Sequence, residues 1–128
     1  MVSESGELMP SESSVFTPEH GGIHPREAAD HHSRVASDLV SSVISREGFS
    51  QSDVKAVSFS QGPGLGPCLR VGASLARTLS KSWEVPLIGV NHCVAHIEVG
   101  RNQTGCEDPV LLYASGGNTQ VIARAGSR

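Results

Sequence analysis

Aromatic residues make up only 4% of this 128-residue chain, so any core must rest on Val, Leu, Ile and Ala. A chain of this length supports one domain, or one lobe of a larger one. No charge of one sign dominates: the net charge is −3 with both signs dispersed. That excludes a basic tail and a broad electrostatic footprint for nucleic acid. No apolar run is long enough to span a bilayer, so no membrane partner is expected. The acidic, polar start Met1-Val2-Ser3-Glu4-Ser5-Gly6-Glu7 is the opposite of a signal peptide. Cys68, Cys93 and Cys106 are odd in number and show no CxxC spacing, which fits free thiols in a reducing cytosol. These absences describe a soluble, cytoplasmic protein.

What is present alternates strand with helix. Residues 1–23 are Ser/Glu/Gly-rich, with one short candidate strand at Ser13-Ser14-Val15-Phe16. Pro25 suits the first position of a helix, with Glu27 complementing its dipole. Ala28, His32, Val35, Leu39 and Val43 then recur at helical spacing toward a stop at Gly48. Ser50-Gln51-Ser52-Asp53 can cap a single turn, and Ala56–Ser60 alternates like a strand with one apolar face. The loop Gly62-Pro63-Gly64-Leu65-Gly66-Pro67 leads into a second helix through about Trp83, with Leu69, Ala76, Leu79 and Trp83 as its stripe. Val85–Val90 reads as a buried strand, and a helix follows from Asn91 until Asn102-Gln103-Thr104-Gly105 breaks it. Val110–Ala114 and Thr119–Ala123 flank Ser115-Gly116-Gly117-Asn118 as a hairpin. The alternation predicts an α/β fold with a partly parallel sheet.

The stretch His92-Cys93-Val94-Ala95-His96 carries the strongest chemical signal. With a helix starting at Asn91, an N-capping residue type, the two imidazoles lie one turn apart on one face and can reach one metal ion. Two surface histidines on a short helix is the plainer alternative. The zinc-protease motif needs a glutamate directly after the first histidine as general base, and Cys93 stands there instead. Cys93 lies about 100° round the helix from His92 and reads as a packing thiol.

Other segments are more ambiguous. The Gly62–Pro67 loop offers close backbone approach and a helix N-terminus to an anion, or is a tight turn with no ligand. Arg70, Arg77 and Lys81 share a helix face that could touch phosphate, but a solvated face is the commoner use. Ser115–Thr119 could seat a phosphate or carboxylate, or be an ordinary hairpin turn. Of His31 and His32, His32 lies on the apolar stripe and is expected as a hydrogen-bonded core residue, with His31 facing outward.

Four segments together resemble one family. They are Gly21-Gly22-Ile23-His24-Pro25 running into His31-His32-Ser33, the Gln61–Leu65 loop leading to Leu69-Arg70-Val71-Gly72, the Gly89–Glu98 block, and Leu112–Gln120. In order and spacing they resemble the universal tRNA threonylcarbamoyltransferases, TsaD in bacteria and the catalytic subunit of the KEOPS complex in archaea and eukaryotes. The family was formerly described as O-sialoglycoprotein endopeptidases.

The resemblance implies a partial N-terminal lobe, residues 1–128, of the two-lobe, actin-like ASKHA fold. The implied activity is transfer of threonylcarbamoyl from threonylcarbamoyl-AMP to N6 of the adenosine beside the tRNA anticodon. It implies one divalent metal ion, iron or zinc, on His92, His96 and Tyr113, with Tyr113, Ala114, Ser115, Gly116 and Gly117 against the adenylate or ATP. It also implies tRNA and the KEOPS kinase and small accessory subunits as partners. Tyr113 and Asn91-His92-Cys93 lean toward the archaeal and eukaryotic branch. The family's glycine-rich first strand and its second lobe have no counterpart here. The chain is therefore expected to be a fragment without transfer activity of its own. The alternatives are a non-catalytic module that binds adenylate or a subunit, and a metallopeptidase, against which Cys93 counts.

Overall fold

The computed structural model describes every residue except Glu4, Leu8, Pro10, Glu47, Gly116, Gly117 and 124–128, with Ser115 and Asn118 described in backbone only. In chain order the elements are α1 (Pro25–Ile44), a single 3-10 turn (Gln51–Asp53), β1 (Val57–Gly62), α2 (Gly66–Trp83), β2 (Leu87–Asn91), α3 (His92–Thr104), β3 (Val110–Ser115) and β4 (Asn118–Ala123). The expected α/β class is borne out. Strands β1 and β2 pair in parallel, Val57 opposite Leu87 through Gly62 opposite Asn91, and β3 and β4 form a separate antiparallel hairpin.

Helix α2 is the crossover that joins β1 to β2, because two parallel neighbours need a long connection that returns the chain to the same edge. It packs on β1 and on α1. Small residues allow that approach: Ala28 and Ala29 of α1 and Ala76 of α2 are buried, and Cys68 Sγ donates to the Pro25 carbonyl at 3.8 Å. Among the described residues the other buried apolar one is Ile97 of α3.

This core is small for the chain. The accessible surface is 9375 Å², whereas a compact monomer of this mass exposes roughly 6500 Å². Large apolar side chains contribute to the exposed surface. Val110, Leu112 and Val121 on the outer face of the hairpin are 70%, 68% and 72% exposed.

Four local expectations change. Ser13–Phe16 is not a strand, because no neighbouring strand takes its backbone groups. Side chains tie this segment to α1 instead. Ser14 Oγ is 3.1 Å from His31 Nε2, the Phe16 ring lies 5.7 Å from the His31 ring, and Glu12 pairs with Arg46 and accepts from Ser42 Oγ. Consequently His31, not His32, is the hydrogen-bonded member of its pair, and both are half-buried rather than one in the core. Helix α1 stops at Ile44, before Gly48, where the Ser45 N–H closes the last turn on the Ser41 carbonyl. Finally, β2 starts at Leu87 because Pro86 has no N–H for the ladder and contributes only its carbonyl, to Val57 N at 2.9 Å. That strand is not buried: Ile88 is 48% exposed.

Candidate metal centre

The helix that carries the histidine pair begins where the sequence places it. Asn91 ends β2 with extended backbone, φ −68° and ψ 128°, and its side chain caps α3. Its Oδ1 accepts from Cys93 N–H at 2.9 Å and Val94 N–H at 3.2 Å, satisfying two of the four donors that a helix start leaves unpaired. Gly105 closes the other end at φ 69°, a left-handed conformation that glycine adopts without steric cost, with its N–H on the Arg101 carbonyl.

Within α3, His92 and His96 stack edge to face with ring centroids 4.6 Å apart, and their Nε2 atoms are 3.2 Å apart. One ring donates a proton to the other's lone pair at that distance. Two nitrogens bound to one tetrahedral ion at about 2.0–2.1 Å stand about 3.3–3.4 Å apart, so the pair already has the spacing that a shared ion requires. Tyr113 closes the group from β3. Its ring lies 6.0 Å from that of His92 and 5.2 Å from that of His96. All three side chains are half-buried.

Tyr113 reaches them because side chains alternate across the hairpin. Leu111 and Tyr113 are half-buried while Val110, Leu112 and Ala114 are exposed on the opposite face. Among the described residues, no group of three His, Cys, Asp or Glu is placed to hold a metal ion. The oxygen-bearing ring beside the two imidazoles is that of Tyr113. Two imidazole nitrogens and one phenol oxygen suit a borderline divalent ion, and the residues present fit such a group.

The remaining candidates are less closely assembled. Ala114 is exposed and pairs with Thr119, and Ser115 pairs with Asn118 through the backbone. Gly116 and Gly117 lie outside the described residues. Cys93 is half-buried with a free thiol, while Arg70, Arg77 and Lys81 are all exposed, as expected of a solvated face. One juxtaposition is not visible in the sequence. Because β1 and β2 run parallel, the Gly62 loop and the start of α3 leave the same end of the sheet, Gly62 opposite Asn91 across an irregularity at Gln61. Ligands of open α/β sheets gather at that carboxyl end. The only sequence signal for this neighbourhood is that each segment follows a strand.

Comparison with known proteins identifies the family. The family model for TsaD, tRNA N6-adenosine threonylcarbamoyltransferase, matches residues 9–128. A tRNA N6-adenosine threonylcarbamoyltransferase of Methanocella arvoryzae is 62% identical over 84 residues, 66% of this chain and 26% of the relative. A probable tRNA N6-adenosine threonylcarbamoyltransferase of Drosophila melanogaster is 51% identical over 90 residues, 70% of this chain and 26% of the relative. A protein of Methanospirillum hungatei described as a probable bifunctional tRNA threonylcarbamoyladenosine biosynthesis protein is 58% identical over 84 residues, 66% of this chain and 16% of the relative. The chain belongs to the TsaD family. It spans about a quarter of the length of the transferases it matches.

Proposed function

We propose that residues 1–128 are part of the N-terminal lobe of a two-lobe enzyme that moves threonylcarbamoyl from threonylcarbamoyl-AMP to N6 of the adenosine beside the tRNA anticodon. In this reading His92, His96 and Tyr113 hold one divalent ion, iron or zinc. Family membership supports the reaction class. The observation that carries the site is the convergence of the three rings, two from the first turns of α3 and one from β3.

The reaction adds the N6 amine to the carbamoyl carbon, releases AMP and loses a proton from nitrogen. The donor is already activated, so the protein's task is to orient that carbon against a weak aromatic amine and to stabilise the developing oxyanion. A bound divalent ion supplies a Lewis acid for a carbonyl or phosphate oxygen. His92 and His96 would hold it through Nε2, each with its ring proton on Nδ1 in place of the proton now shared between the two Nε2 atoms, and Tyr113 would offer its phenol oxygen. Tyr113 also begins the segment Tyr113–Gly117 that we assign to the adenylate, so ion and nucleotide would share one strand end.

The partners we assign are tRNA and the kinase and small accessory subunits of the KEOPS complex. The bifunctional description of the Methanospirillum hungatei relative supports a second function working beside this one. No helix is long and apolar enough to cross a membrane among the described residues. Free thiols support the cytoplasm as the place of action. The exposed apolar face at Val110, Leu112 and Val121 favours a second reading, a module that binds adenylate or a subunit without transferring anything.

The test is made in the full-length protein that contains this chain. His92→Ala and His96→Ala should each lose most of the bound iron or zinc, measured by plasma mass spectrometry, while far-UV circular dichroism stays unchanged. Nucleoside mass spectrometry of tRNA given threonylcarbamoyl-AMP then separates enzyme from module. Equal metal content in the unaltered protein and both variants would rule out the shared site.

A further inference from the structure

We infer that Asn91 is the positioning residue for the histidine pair, acting through the first turn of α3, an inference that rests on the metal reading above. His92 is the first residue of α3 and His96 lies one turn further in. The two are therefore not equally secure. His96 is held within the helix, but His92 keeps its helical geometry only while the first turn is closed. Helix ends fray, and the free donors of the first turn are what a cap satisfies. Asn91 Oδ1 takes two of them, at Cys93 and Val94.

Asn91 also belongs to the sheet. It is the last residue of β2, opposite Gly62 across the parallel pair. One residue thus joins the strand register to the helix start, and both set where His92 projects relative to Tyr113 on β3. Fraying of this turn would leave His96 and Tyr113 in place and remove His92 from the 3.2 Å Nε2–Nε2 approach.

The test uses Asn91→Ala, Asn91→Ser and Gly105→Ala in the full-length protein. Ser is an efficient cap and Ala is not, so Asn91→Ala should weaken zinc binding by about fivefold and Asn91→Ser should stay near the unaltered protein. Gly105→Ala loosens the opposite end of the same helix. It should lower thermal stability by a similar amount and leave zinc affinity unchanged, which separates positioning from general stabilisation. Calorimetry with zinc alone gives the affinities, and the visible spectrum of the cobalt form reports the ligand geometry.

Proton NMR of the metal-free protein gives a readout independent of any ion: the nuclear Overhauser contact between the His92 and His96 rings should fade in Asn91→Ala and persist in Asn91→Ser. Loss in Asn91→Ser equal to that in Asn91→Ala, or Asn91→Ala behaving like Gly105→Ala, overturns the inference. If the unaltered protein binds no zinc, the metal reading fails, and the ring contact still decides the role of Asn91.

Discussion

Helices α1 and α2 start without a side-chain cap: His24 and Leu65 precede them, and each carries a proline in its first turn. Helix α3 starts on the two hydrogen bonds of Asn91 and ends on Gly105. The contrast extends to their faces. The apolar residues of α1 and α2 gather on one side, and the two helices pack on each other, with α2 also on β1, whereas those of α3 are spread around it and only Ile97 is buried. The helices that build the layer are held by burial, and the helix that carries the candidate site is held largely by local chemistry at its ends. A helix with little apolar contact can keep two polar rings at the surface, provided that its ends are fixed by other means.

The largest effect that would sharpen this contrast is expected in α2. Ala76 is 5% exposed at the centre of the layer. Ala76→Asp would bury a carboxylate with no partner and should cost roughly 4 kcal/mol, read by urea unfolding. A loss under about 1 kcal/mol, within the range of ordinary surface changes, would show that α2 is not held by burial.

A smaller effect compares the two helix ends. Helix α2 closes on Glu84 at φ 55° and α3 on Gly105 at φ 69°. Glu84→Gly should stabilise the protein by up to about 1 kcal/mol, and Gly105→Ala should destabilise it by about 1 kcal/mol. Equal and opposite shifts in melting temperature would confirm that backbone conformation decides both ends. Shifts of the same sign would break the comparison.

The smallest effect lies outside both helices' cores. Arg46, hydrogen-bonded to Glu12 and adding its charge, holds that carboxyl below the usual carboxylate range, with Ser42 helping. A lowered folded value means the contribution is fully present above the ordinary glutamate pKa of about 4.3. It is lost as the pH falls through the lowered value. Melting curves of the unaltered protein and Glu12→Gln should differ slightly at neutral pH and converge in acid. A difference that grows in acid would contradict the pairing.

Much of this was readable one residue at a time. The i, i+4 histidines, the capping Asn91, the hairpin of β3 and β4 and the α2 helix are local patterns, because helix period, turn chemistry and strand alternation act over a few residues. Ser13–Phe16 was misread because a strand exists only if another strand pairs with it, and that partner is a property of the whole fold. The exchange of roles between His31 and His32 has the same origin: periodicity placed His32 toward the core, but the tethered N-terminal segment lies on the His31 side. By itself the sequence determined which residues are chemically equipped to bind a metal ion and that two of them share a helix face. Resemblance to the family named Tyr113 beside them, but only the tertiary structure decided how its ring approaches them from β3 and that the Gly62 loop meets the start of α3 at one sheet end, because both depend on which elements pack and in which direction the strands pair.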